Sequence, residues 1–184
     1  MRQVFCAPCA RTLEASRSPD AVFVYGGALA AALTSFKYAS RPDLARSLGH
    51  LLVRATSRFA GRVDLVAPVP LHASRLADRG YNQSALLARP LAAALGVPFA
   101  ARLIERTRPT PRQAELDRAA RRENVLGAFR VRTPDQARGR RVLVVDDVKT
   151  TGATLGACAT ALDEAGAAKV LTIVLAEARL EHVG

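Results

Sequence analysis

The chain of 184 residues contains no tryptophan, one methionine, three cysteines and few aromatics, 5% in all. So sparse an aromatic set disfavours a base-stacking platform of the kind that holds single strands. Three cysteines, Cys6, Cys9 and Cys158, cannot build a disulfide framework, and the odd count points to reduced thiols. No stretch approaches the roughly 18 consecutive apolar residues that a membrane span needs. The longest runs, Val142–Val145 and Val170–Ala176, have the length of buried strands. Met1–Cys6 lacks the apolar run of a secretory signal. A soluble, cytoplasmic chain with one principal core is therefore expected.

What is abundant is arginine. All but three of the 27 basic residues are Arg, and the formal net charge is +11. The guanidinium fork matches phosphate oxygens, so a phosphate-bearing partner is expected. Net charge alone does not separate nucleic acid from a small phosphate ester, and a GC-rich coding sequence also yields Arg and Ala.

Hydrophobic periodicity organises the chain. Cys6-Ala7-Pro8-Cys9 opens a short head, residues 1–20, and residues 21–184 form the main domain. Ala21–Tyr25 reads as a strand, broken by Gly26-Gly27. Ala28–Tyr38 and Pro42–Phe59 read as helices, with Leu44, Leu48, Leu51 and Leu52 at helical spacing. Val63–Ala67 is a strand stopped by Pro68-Val69-Pro70. Asn82 caps a helix from Gln83 to Leu95. Arg106–Arg122 is basic, contains proline and has no apolar periodicity, which marks a functional or disordered loop. Gly127–Val131 is a strand, Arg141–Val145 a strand buried on both faces, Ala153–Ala165 a helix, and Val170–Ala176 a second buried strand. Buried strands alternating with helices specify an α/β domain: an open, mainly parallel twisted sheet with flanking helices.

The densest chemistry follows the strand Val142–Val145. Asp146 and Asp147 fall at its carboxyl end, where ligands of open α/β sheets bind. Thr150-Thr151-Gly152-Ala153-Thr154 then enters a helix, and successive N–H groups at a helix start cradle phosphate. Acids beside a phosphate site make sense when the ligand also carries vicinal hydroxyls and a magnesium ion. A ribose phosphate with Mg²⁺ meets both needs, whereas a Walker loop would require a Gly-Lys-Ser/Thr ending. Both carboxylates are expected to point into an open crevice. The alternative is a plain strand–turn–helix connection with a Thr cap, which leaves the paired acids unexplained.

This segment resembles the 5-phosphoribosyl 1-diphosphate (PRPP) signature of type I phosphoribosyltransferases. Two further clusters narrow the likeness. Pro68-Val69-Pro70-Leu71-His72 is followed by Arg75, Arg79, Gly80, Tyr81, Asn82 and Gln83; Arg106-Thr107 is followed by Gln113 and Leu116. With Phe36-Lys37-Tyr38, the combination resembles the ComF family, associated with natural competence and DNA uptake, over roughly residues 22–178. The resemblance implies that Asp146 and Asp147 hold the ribose hydroxyls. Val148, Lys149, Thr150, Thr151, Gly152, Ala153 and Thr154 would form the PRPP-binding loop. Pro68, Val69, Pro70 and Leu71, with Arg75 and Arg79, would bind diphosphate; a helical Leu71–Asp78 puts both guanidiniums on one face. Arg106 would join the acids as a catalytic residue, at the start of a loop, Arg106–Asp117, that closes over the site. Lys149 is not read as catalytic, and no residue is assigned as a direct metal ligand.

Family members often begin with two Cys-x-x-Cys pairs forming a zinc module. Here Cys6-x-x-Cys9 supplies two of the four ligands that zinc needs, so no structural zinc is expected on this pair alone. The upstream pair was lost, the start is misplaced, or the pair is vestigial. The expected activity is Mg²⁺-dependent transfer of phosphoribose from PRPP to an unidentified small-molecule nitrogen acceptor. The competing reading is a non-catalytic PRPP- or nucleotide-sensing module in competence. A third is a scaffold that meets competence proteins or binds single-stranded DNA weakly; a homodimer is left open.

Overall fold

The computed structural model describes residues 5–109 and 127–179. In chain order the helices are α1 (Ala7–Arg11), α2 (Gly27–Tyr38), α3 (Leu44–Val53), α4 (Ala73–Arg79), α5 (Gln83–Leu95), α6 (Pro134–Ala137) and α7 (Ala153–Glu164). The strands are β1 (Ala21–Val24), β2 (Leu65–Pro68), β3 (Ile104–Arg106), β4 (Phe129–Val131), β5 (Arg141–Lys149) and β6 (Lys169–Glu177). Four of them form a sheet in the order β1-β6-β5-β2, with every pairing parallel. β3 and β4 make a separate antiparallel pair. This is the α/β architecture that the alternating pattern implies.

The sheet is parallel because its central strands are apolar on both faces. Val142, Leu143, Val144 and Val145 are fully buried, as are Ile173, Val174, Leu175 and Ala176. Leu143, Val145, Ile173 and Leu175 pack with α2, α3 and α5 on one face. Val142, Val144 and Val174 pack with α7, β3 and β4 on the other. α3 and α5 approach closely at Gly49, where an added Cβ would lie 2.7 Å from the Pro90 ring. Pro90 sits within α5 and cannot donate a backbone bond there, so the glycine opposite makes room for its ring.

Element boundaries differ from expectation in two informative places. The helix expected to reach Phe59 stops at Val53 and resumes as one 3₁₀ turn, Thr56–Arg58. There the Thr56 hydroxyl donates to the Val53 carbonyl at 2.5 Å, a local bond that competes with helix continuation. β5 runs four residues past its apolar stretch, because its ladder with β6 continues through Val148↔Ala176 and Lys149↔Glu177. Asp146 and Asp147 therefore lie within the strand instead of after it.

Candidate ribose and phosphate site

A cleft of about 340 Å³ opens at the carboxyl ends of β2 and β5. Asp146, Asp147, Val148, Thr150 and Thr154 line it on the β5 side. Val69, Pro70, Leu71, Arg75, Arg79 and Arg106 line it as well. Thus the three segments expected to bind ribose, phosphate and diphosphate converge. Thr151, Gly152 and Ala153 make the turn between the two lining threonines, and Pro68 lies below, in β2. Gly152 has φ +78°, a left-handed conformation, and forms the N-cap of α7. The Thr151 hydroxyl accepts from the Ala153 N–H at 3.4 Å.

The acids are not in an open crevice: Asp146 is 8% and Asp147 2% exposed. Strand alternation separates them. Val144 faces α7 and Val145 faces α2, so Asp146 takes the α7 face and Asp147 the α2 face. Asp146 Oδ1 accepts from the Ser84 hydroxyl at 2.7 Å and from the Asp147 N–H at 2.9 Å. Burial, then the neighbouring Asp147 charge, pushes the Asp146 carboxyl up to about 6, against the pull of Ser84 and Lys37. Asp147 Oδ1 accepts from the Val148 N–H at 2.6 Å and meets Lys37 Nζ at 3.0 Å. Among the described residues nothing donates to Asp147 Oδ2, a buried acceptor. A ribose hydroxyl or a metal-bound water would satisfy it, so the acids suit the hydrated hard cation that accompanies a diphosphate.

Lys37 is the residue that sequence reasoning left without a role, although Phe36-Lys37-Tyr38 stood out as a motif. Burial disfavours its charge, but Asp147 and Asp146 outweigh that and raise its pKa. Its position is held from behind. Tyr81 stacks on Phe36 with ring centroids 5.5 Å apart, and the Tyr81 hydroxyl donates to the Phe36 carbonyl. Ser84, the other residue missed, gave no signal beyond its place near a helix start.

The Arg-Gly-Tyr-Asn-Gln stretch turns out to be the brace of the site. Gly80 ends α4 at φ 80°. Asn82 accepts from the Ser84 and Ala85 N–H groups, capping α5, and donates to the Val69 carbonyl at 3.0 Å. Arg79 donates to Gln83 at 2.5 Å and lies 5.5 Å from the Tyr38 ring centroid. Arg75 and Arg79 share one face of α4, which begins at Ala73, two residues later than expected. Arg106 ends β3 over the Phe129 ring, and burial followed by the nearby Arg75 charge lowers its pKa. Acids and guanidiniums thus line one cleft.

Lys149 turns away from the cleft. Its ammonium binds Asp20 at 2.6 Å and Glu177 at 3.2 Å, while its stem runs beneath Gly152. Its contribution to a phosphate cradle would come from the backbone. Cys158 is buried in α7, and burial with Asp146 nearby pushes its thiol well up, so it is a core residue. Beyond Pro109, the closing loop expected over Arg106–Asp117 lies outside the described residues, as do Gln113 and Leu116.

Comparison with known proteins bears on the family and the fold. The phosphoribosyl transferase domain family matches residues 82–182. DNA utilization protein YhgH of Escherichia coli O157:H7 is 36% identical over 173 residues, covering 89% of this chain and 74% of that protein. Competence protein F of Haemophilus influenzae is 31% identical over 186 residues, covering 96% and 81%. Among solved structures, the glutamine PRPP amidotransferase of B. subtilis, complexed with ADP and GMP, superimposes with a TM-score of 0.53 at 23% identity. That likeness is one of fold: it covers 77% of this chain but 30% of the other, so this chain spans less than a third of that enzyme. With its sheet, its acid–threonine turn and these relatives taken together, the chain belongs to the ComF family, built on a phosphoribosyl transferase domain.

Proposed function

We propose that the protein binds Mg-PRPP in this cleft and transfers phosphoribose to a nitrogen acceptor. The observation that carries the reading is what the cleft brings together. Two buried acids, the threonines of the β5–α7 turn, and Arg75, Arg79 and Arg106 all line it. Such a set matches a ligand that carries a diol, a monophosphate and a diphosphate. Asp146 and Asp147 orient the ribose hydroxyls, Asp147 Oδ2 being an acceptor in want of a donor. The N–H groups from Thr150 to Thr154 take the 5-phosphate. Charge separates as the bond at ribose C1 breaks: positive on the sugar, negative on the departing diphosphate. Arg75 and Arg79 stabilise the leaving group, with Arg106 adjoining them. Magnesium, when bound, neutralises further phosphate charge. Lys37 offsets the acids when the ligand is absent.

Calorimetric titration of PRPP, with and without Mg²⁺, tests binding. Diphosphate release in the presence of a panel of bases and amines tests transfer. Absence of PRPP binding by the wild type would remove the reading altogether. Neither relative's name specifies an enzymatic activity; both name competence or DNA utilisation. That favours a second reading, a PRPP sensor in the same process, and binding without diphosphate release from any acceptor would select it.

A further inference from the structure

A further, more open cleft of about 690 Å³ lies along the amino-terminal half of β6 and shares no lining residue with the ribose and phosphate cleft. Its floor is an open strand edge. β1 pairs only with the stretch from Val174 to Glu177 of β6. From Lys169 to Ile173, β6 has β5 on one side and, among the described residues, no strand on the other. The reason lies in how the chain enters β1. Residues Glu14–Ser16 run back along the outer edge of β1, with Ser16 N–H donating to the Val22 carbonyl and Val24 N–H to the Glu14 carbonyl. The intervening turn, containing Pro19, closes at the level of Val174, and among the described residues no strand continues down the lower edge.

The direction of the free groups follows from the strand repeat. Val174 N–H donates to the Asp20 carbonyl on the β1 side at 2.9 Å. Residues two and four positions earlier turn their backbone the same way, so Thr172 and Val170 present N–H and C=O groups to the cleft. Arg17, Arg58, Arg62 and Lys169 stand around this edge. Its one carboxylate, Asp20, is engaged by Lys149 at 2.6 Å.

From this we infer that the lower edge of β6 is a docking site for an extended, acidic segment of a partner protein, which adds as a further strand. Backbone pairing supplies affinity and the surrounding cations select charge. Like charges disfavour a second copy of the same edge in that place. A nucleic-acid strand fits less well, because its phosphates only accept hydrogen bonds while the edge offers donors and acceptors alternately. The apolar ring nearest the cleft, Phe59, is 4% exposed and offers no base a stacking surface.

The probe is a fluorescein-labelled octapeptide of alternating Glu and Val, followed by anisotropy with the full chain. Two controls accompany it: the same peptide N-methylated at alternate residues, and oligodeoxythymidylate. The parent peptide should bind and slow hydrogen exchange at Val170 and Thr172. N-methylation should weaken binding at least tenfold, and so should the double substitution Arg17→Glu/Arg62→Glu, two exposed positions checked by circular dichroism. PRPP affinity should be unchanged by the double substitution, which separates this outcome from failure of the catalytic reading. Lack of parent-peptide binding, or equal binding of the N-methylated form, overturns the proposal. Tighter oligodeoxythymidylate binding that the same double substitution abolishes overturns it in favour of nucleic acid.

Discussion

Asp146 carries opposing demands. It is buried beside another acid, and its carboxyl is raised to about 6 from the usual value near 4. The folded state thus holds a proton that the unfolded chain has already released between about pH 4 and 6, so stability falls as pH rises through that window. Asp146→Asn keeps an acceptor for Ser84 while removing the charge. It is expected to raise the stability of the ligand-free protein at pH 7 by up to about 3 kcal/mol and to flatten the slope between pH 4 and 6. Denaturant titrations at several pH values measure both effects; an unchanged slope would show that Asp146 does not titrate there. The same site should lose function. Replacing both Asp146 and Asp147 by Asn is expected to weaken Mg-PRPP binding at least tenfold, since charge-assisted bonds contribute about 1.5–3 kcal/mol each. Equal calorimetric affinity in the double variant would sink the assignment of the acids. Thr151→Ala should cost less, because backbone N–H groups carry most of the phosphate contact.

At the scale of elements, α5 connects the site to the core. Its start holds Asn82 and Ser84, which brace the Val69 carbonyl and Asp146; its middle presses Pro90 against Gly49 of α3. Gly49→Val would drive side-chain atoms into the proline ring, and overpacking of this kind costs about 1–3 kcal/mol. A lower melting temperature is expected, with PRPP binding retained at temperatures where the variant is folded. A melting temperature equal to the wild type would mean that α3 and α5 can separate freely at that contact.

Across the whole molecule the net charge is +11, and among the described residues no helix stands out as a groove reader. Binding to single-stranded DNA is therefore expected to be weak, non-specific and dependent on salt. Titration of labelled DNA at increasing salt tests this. Sequence-dependent binding that survives about 0.5 M salt would contradict a purely electrostatic origin. Among the described residues no helix is long and apolar enough to cross a membrane.

The parallel sheet and the acid–threonine turn were legible in the sequence because both are contiguous. A run such as Val142–Val145 declares its burial by composition, and Asp146 to Thr154 occupies one strand, one turn and one helix start. The bracing motif from Arg79 to Gln83 was visible too, although its purpose was not. Tertiary structure alone decided that β5 would extend through the acids, since a ladder with β6 holds polar residues that composition assigns to a loop. It also decided that Lys37 would meet Asp147, more than a hundred residues away in the chain, and that Ser84 would meet Asp146. The elevated carboxyl of Asp146 follows from that convergence, because desolvation depends on what surrounds a group and not on its neighbours in sequence. The edge of β6 left unpaired among the described residues has the same origin: the chain entering β1 turns early, and no local pattern in β6 records where another strand will stop.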